Sequence, residues 1–338
     1  SKSRGLVRGF GQLLLQPFTP SQTITLGGPG AGFELTTGEF GALGDNFSQV
    51  IIGRADGSHT VSITESLSFR DATLVRAPQG HGSVSIGSGA APITVQTVGR
   101  ADSLRIEAAD GIAVDGHLKT VGRASLELLA DFDGNGVGDL LLGQNLGITN
   151  KVLSIGTESG AITLQGENVA IGVDVNGQKT AGIVNVRSLS GDVELRTNTD
   201  ADNDGGLMFR HLKSSIITNG FVNVASANYG GVADLGPGII TGNRGVSISD
   251  FESLEAQATK VNSKGAITVD ALSATFRAKS AFKSLAEIQV TGDAATGIIS
   301  LETGSAVTAL KSILLEAAQV QRAAGAIVKE KSGTLNQI

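Results

Sequence analysis

The sequence predicts an all-β fold, a right-handed parallel β-helix (β-solenoid) wound in coils of about 20–24 residues. Three observations predict it. A short motif recurs at a near-constant spacing, brief runs alternate apolar with polar residues, and glycine-rich corners separate those runs.

The motif reads Val50-Ile-Ile-Gly-Arg-Ala, Thr73-Leu-Val-Arg-Ala, Thr97-Val-Gly-Arg-Ala and Thr120-Val-Gly-Arg-Ala. Its arginines, Arg54, Arg76, Arg100 and Arg123, stand 22, 24 and 23 residues apart. Fainter echoes follow: Arg187 and Arg210 are 23 apart, Arg277 and Arg322 are 45 apart, and Gly245-Val-Ser-Ile and Gly265-Ala-Ile-Thr-Val are 20 apart. Self-similarity at such a period marks stacked supersecondary units whose corners absorb insertions. Outward arginines one coil apart would repel, so they read as a ladder of corner residues, offset by Asp56 and Asp102 two residues downstream or by nearby carbonyl groups.

Alternation is clear in Thr23-Ile-Thr-Leu, His59-Thr-Val-Ser-Ile, Ser83-Val-Ser-Ile, Ile93-Thr-Val-Gln-Thr-Val, Leu104-Arg-Ile-Glu, Asp192-Val-Glu-Leu and Val222-Asn-Val. Such short runs, bounded by Gly, Asp, Asn or Ser, fit coils of two or three strands better than a sandwich of longer ones. Inward Val, Ile and Leu then stack on their equivalents one coil away at ~4.8 Å, and about 15 coils would make a body roughly 70 Å long.

The two ends read differently. Residues 1–18, with Leu6, Phe10, Leu13, Leu14 and Phe18, are expected to form an N-terminal cap or an assembly arm, and residues 19–338 a single solenoid. Within 306–330, Val307, Leu310, Leu314 and Ala318 keep a helical spacing in an alanine-rich stretch, which allows a partly helical segment. Gln321-Arg-Ala still echoes the repeat there and favours strands.

Composition narrows the function. The net charge is -6 and no long basic run occurs, which argues against nucleic acid, whose phosphates demand concentrated Lys and Arg. No stretch has the length of a transmembrane helix, about 18 apolar residues. The absence of cysteine removes disulfides and thiol nucleophiles. His59, His81, His117 and His211 are scattered, which suits surface or corner residues rather than a zinc site. No Gly-x-Ser-x-Gly elbow or phosphate loop is present.

The sharpest local motif is Asp131-Phe-Asp-Gly-Asn-Gly-Val-Gly-Asp139. Side-chain oxygens fall on Asp131, Asp133, Asn135 and Asp139, with the Val137 carbonyl between them, and glycines allow the tight curl that a calcium ion with six to eight oxygen ligands requires. This short stretch resembles the calcium loops of FG-GAP repeats, but a propeller would repeat it in every blade. An EF-hand would need glutamate where Leu142 stands. The other reading is a polar corner of the solenoid, as is Asp200-Ala-Asp-Asn-Asp204. A glycan-cleaving β-helix would place an acid and a base across a groove. Sugar sites, however, favour aromatic platforms, and the chain has no Trp and one Tyr, Tyr229.

At Phe47-Ser-Gln-Val-Ile-Ile-Gly-Arg-Ala-Asp-Gly-Ser, preceded by Leu35-Thr-Thr-Gly-Glu-Phe and followed by Val61-Ser-Ile, the chain resembles large filamentous-haemagglutinin-like repeat proteins of bacteria, cyanobacteria in particular. The likeness implies secretion by a two-partner outer-membrane route and a β-helical rod serving as adhesin, stalk or fibre. The Asn-Pro-Asn-Gly turns of that family's secretion domain do not occur, which implies an interior segment of the rod or a matured fragment.

These readings converge on a secreted or cell-surface structural protein of the bacterial exterior that is not an enzyme. Its expected partners are further copies of itself, joined end to end or laterally, and cell-surface glycans or extracellular matrix. A glycan-binding or glycan-cleaving β-helix and a calcium-stabilised adhesion module are the alternatives.

Overall fold

The computed structural model describes residues 6–87, 93–98, 103–144, 146, 151–173, 182–200, 204–211, 213–330 and 336–337. The chain is a parallel β-solenoid. Its strands form one 24-stranded and one 11-stranded sheet, with parallel pairing between successive coils. The one helix among the described residues is a single turn, Thr37–Phe40.

Each full coil supplies three strands, one to each of three faces. Ser125–Leu129, Asp139–Leu142 and Val152–Thr157 make one coil, and Ile162–Gln165, Asn168–Ile171 and Ile183–Ser188 stack on it in register. The first two faces merge into the larger sheet because Gly245–Ala256 and Ala266–Phe276 run unbroken around their shared corner.

Alternation explains the interior. On the first face Leu104, Leu126, Ile162, Val193, Val222, Val246, Ile267, Ile288 and Ile313 form one continuous in-register column, and all are buried. Burying each such side chain stabilises the fold by about 1.5–3 kcal/mol, and each term depends on the coils directly above and below.

A second column is polar. Thr120, Thr157, Ser188 and Thr218 follow one another at the end of the third face, and Ser263 and Ser284 continue it after Gly242. These hydroxyls are buried and donate to corner carbonyls: Thr120 to Ala124 at 2.6 Å, Thr157 and Ser188 to Gly160 at 2.6 and 2.9 Å, and Ser284 to Gly265 at 2.7 Å. Thr97 accepts the Val121 N–H at 3.1 Å. The column satisfies backbone groups at corners too tight for a sheet ladder. Thr120→Val keeps the shape but leaves the Ala124 carbonyl without its donor, so chemical denaturation should show a loss of about 1–3 kcal/mol.

The arginines do not form one ladder. Arg54 lies just beyond the first-face strand Gln49–Ile52, Arg76 lies within the first-face strand Thr73–Ala77, and Arg123 follows the third-face strand His117–Thr120. Arg100 and Asp102 lie outside the described residues. The charge of Arg54 is offset as expected, by two hydrogen bonds to Asp56 at 2.8 and 2.9 Å. Arg76 instead donates to the Gly53 carbonyl.

Coil length explains the discrepancy. Leu118 pairs with Val95, a step of 23 residues, and Lys260 with Ile239, a step of 21. Leu118 also pairs with Ile155, a step of 37, because corners can be extended without disturbing the stack. Longer coils mean fewer of them: the 11 strands of the third face span about 50 Å.

At the N-terminal end, Gln12–Leu15 joins the first face by pairing with Gln49–Ile52. Leu13 and Leu15 pack on the core, while Phe10 and Phe18 are 87% and 92% exposed. Phe40 of the short helix packs edge-on against Phe69. The segment 306–330 is stranded, not helical: Ala306–Ala309, Ile313–Glu316, Gln319–Arg322 and Ile327–Glu330 occupy all three faces. Val307, Ala309, Ile313 and Leu315 bury with period two, and the preceding coil supplies the template that overrides their helical spacing. His59 is a corner residue but a buried one, its ring nitrogens 2.9 and 3.1 Å from the Pro20 and Arg76 carbonyl oxygens.

Candidate functional site

The corner between the first and second faces gathers the acidic residues. Residues 130–138 connect Ser125–Leu129 to Asp139–Leu142, and residues 198–205 make the same connection two coils later. In the coil between them the turn is only Gly166 and Glu167. The two long loops meet across this short one: the Thr199 hydroxyl donates to Asp131, and Gly136 lies so close to the Asp200 carboxylate that a Cβ there would sit 2.4 Å from it.

The calcium-like loop curls around its first residue. Asp131 is 1% exposed, has φ +48°, and accepts the backbone N–H groups of Asn135 and Gly136 at 3.0 and 3.3 Å. Asn135 donates to Asp133 at 3.1 Å and accepts the Val137 N–H at 2.9 Å. The structure therefore brings Asp131, Asp133 and Asn135 together. Asp139 faces the next coil, where its carboxylate accepts the Asn168 backbone and side-chain N–H groups at 3.2 and 2.8 Å. Val137 stands at the exposed surface of the loop. Among the described residues no three His, Cys, Asp or Glu side chains are grouped as a metal site.

Glu167 is the residue that sequence reasoning passed over. It is 3% exposed, with one carboxylate oxygen accepting the Thr199 N–H at 3.1 Å and the other, Oε1, without a hydrogen-bond donor. Gly205, at φ +69°, lies against Oε1 so tightly that a Cβ would come within 2.0 Å of it. Burial pushes the Glu167 carboxyl up to about 7, and the Asp200 charge and the facing Asp204 carboxyl add to the shift. An open groove of about 720 Å³ runs beside this corner, with Asp110, Asp139, Glu167, Asn168 and Asp204 among its lining residues. Such a cluster can exchange a proton near neutral pH. No sequence signal marks Glu167, because its neighbours come from other coils.

No protein-family model, curated protein or solved structure matches the chain. What sequence and structure establish together is a repeat-built, parallel solenoid. No helix among the described residues is long and apolar enough to cross a membrane.

Proposed function

We propose that the chain is a structural rod of the bacterial exterior, a secreted or surface-held β-solenoid that extends, adheres or assembles into a fibre. The observation that carries this reading is the uninterrupted stacking of coils around one aliphatic column, from Leu104 to Ile313 on the first face alone. A body held together by neighbour-on-neighbour contacts is stiff along its axis and lengthens without changing its cross-section. The resemblance to filamentous-haemagglutinin-like proteins supports the same role, and the reading assigns no reaction to the chain.

Self-assembly would proceed through strand edges, whose unpaired backbone groups template further strands. Heterologous contacts of that kind propagate without closing. Electron microscopy and sedimentation at rising concentration should show filaments with the width of one rod. Particles that stay single at every concentration would remove the fibre from this proposal and leave the stalk.

Calcium stabilisation is a second reading, favoured by the convergence of Asp131, Asp133 and Asn135. Calorimetry at millimolar calcium should then give a binding heat that Asp133→Asn reduces, and the absence of heat would retire it.

A further inference from the structure

On the third face, away from the acidic corner, the strands carry an open trough of about 980 Å³. We infer that this trough binds an acidic polysaccharide, seating a carboxylate or sulfate group between Lys119 and Arg187 above Gly156.

The register builds the seat. Gln96, Lys119, Gly156, Arg187 and Ile217 lie side by side on successive strands. Neighbouring strands are ~4.8 Å apart, so the Lys119 and Arg187 backbones are separated by about 10 Å, with only the hydrogen of Gly156 between them. Both side chains are exposed at positions that point away from the core. Neither has an acidic partner among the described residues, in contrast to Arg54, Arg105, Arg196 and Arg277, which pair with carboxylates. The acidic residue on the rim, Glu158, is held by the Gly122 N–H at 2.7 Å. Two cations flanking a gap leave a local positive potential that an oxyanion between them neutralises.

The neighbouring row supplies hydrogen-bonding partners. Thr94 pairs with His117 and Ser154 with Asn185, which pairs in turn with Ser215. The Ser154 N–H donates to His117 Nδ1 at 3.0 Å, and Ser215 donates to Asn185 at 2.8 Å. Hydroxyl, amide and imidazole groups of this kind suit sugar hydroxyls, and exposed Leu189 and Ile217 offer apolar surface to the carbon faces of the rings. The trough crosses five strands, about 19 Å along the axis, and so fits an extended polymer better than a compact ligand. No Phe, Tyr or Trp lines the trough to stack on bases, which disfavours a nucleic acid as that polymer.

The inference does not depend on assembly, so it is tested on the full chain at concentrations where the rod is monomeric. Oligogalacturonate, a sulfated oligosaccharide, neutral dextran fragments and single-stranded DNA are titrated calorimetrically against the protein and against Lys119→Ala, Arg187→Ala and Gly156→Val. At least one acidic saccharide should bind and dextran should not, and which of the two acidic probes binds identifies the anion. Each cation variant should weaken binding about tenfold, with unchanged circular dichroism and melting. Gly156→Val should block the seat. Binding to neither acidic saccharide, equal binding of dextran, tighter binding of DNA, or binding indifferent to Lys119 and Arg187 would overturn the inference.

Discussion

Replacing Phe209 by alanine should cost about 3–5 kcal/mol of stability, measured as a drop in the urea midpoint. Phe209 is fully buried, pairs with Ile171 on one side and Leu235 on the other, and fills interior volume that its truncation would leave as a cavity. The loss should fall unevenly along the rod. Because coils are stabilised by their neighbours, hydrogen exchange should rise first in Asn168–Ile171, Gly206–Phe209 and Val232–Leu235, and least around Ile288–Thr291. Gly238 gives the converse test: a Cβ there would lie 2.2 Å from the Phe209 ring, so Gly238→Ala should also destabilise. Combined with Phe209→Ala, its methyl group enters the vacated space, and the double variant should lose less than the two single losses together. Strict additivity would mean that the ring and the glycine are not in contact in solution.

The second large effect is a dependence on pH. Between the ordinary glutamate value of 4.5 and the folded value of about 7, Glu167 binds more protons in the folded chain than in the unfolded one. Stability from this group is therefore full below about pH 4.5, falls as pH rises through that window, and stays reduced above pH 7. Solvent reaching the corner limits the effect to the order of 1–2 kcal/mol. Glu167→Gln keeps an acceptor for the Thr199 N–H and turns a donor toward the acidic side of the corner, where Asp200 and Asp204 lie. Urea midpoints from pH 4.5 to 8 should fall with pH in the native protein and run flatter in the variant, which should be the more stable above pH 7. A slope that survives the substitution would assign the proton to another group.

Much of the architecture was legible as periodicity. Ile162-Thr-Leu and Val193-Glu-Leu bury their first and third residues and leave the second half-buried, facing outward as alternation requires, and they pair as equivalents one coil apart. The recurring motif was also a true signal, read on the wrong residue. In Thr97-Val-Gly-Arg and Thr120-Val-Gly-Arg the position that recurs along the fold is the threonine, whose hydroxyl column continues through Thr157, Ser188 and Thr218 after the arginine has disappeared. A buried hydroxyl serves a corner carbonyl in most coils of this column, Gly242 and Ala309 being the exceptions, whereas an exposed arginine is free to drift.

The candidate sites were less legible. The loop from Asp131 to Asp139 could be named because its oxygens are close in sequence. Glu167 could not, since the Asp200 and Asp204 carboxyls that perturb it lie on the next coil, nor could the gap at Gly156 between Lys119 and Arg187.

The sequence by itself determined that this chain coils, because period-two burial and polar corners admit few other packings for such short strands. Only the tertiary structure decided which residues share a face. In a solenoid, equivalence is set by the length of every intervening corner, and here the step between paired residues on successive coils ranges from 20 to 38. A constant count of about 23 therefore places Arg76 and Arg123 on one line, while strand pairing puts them on different faces.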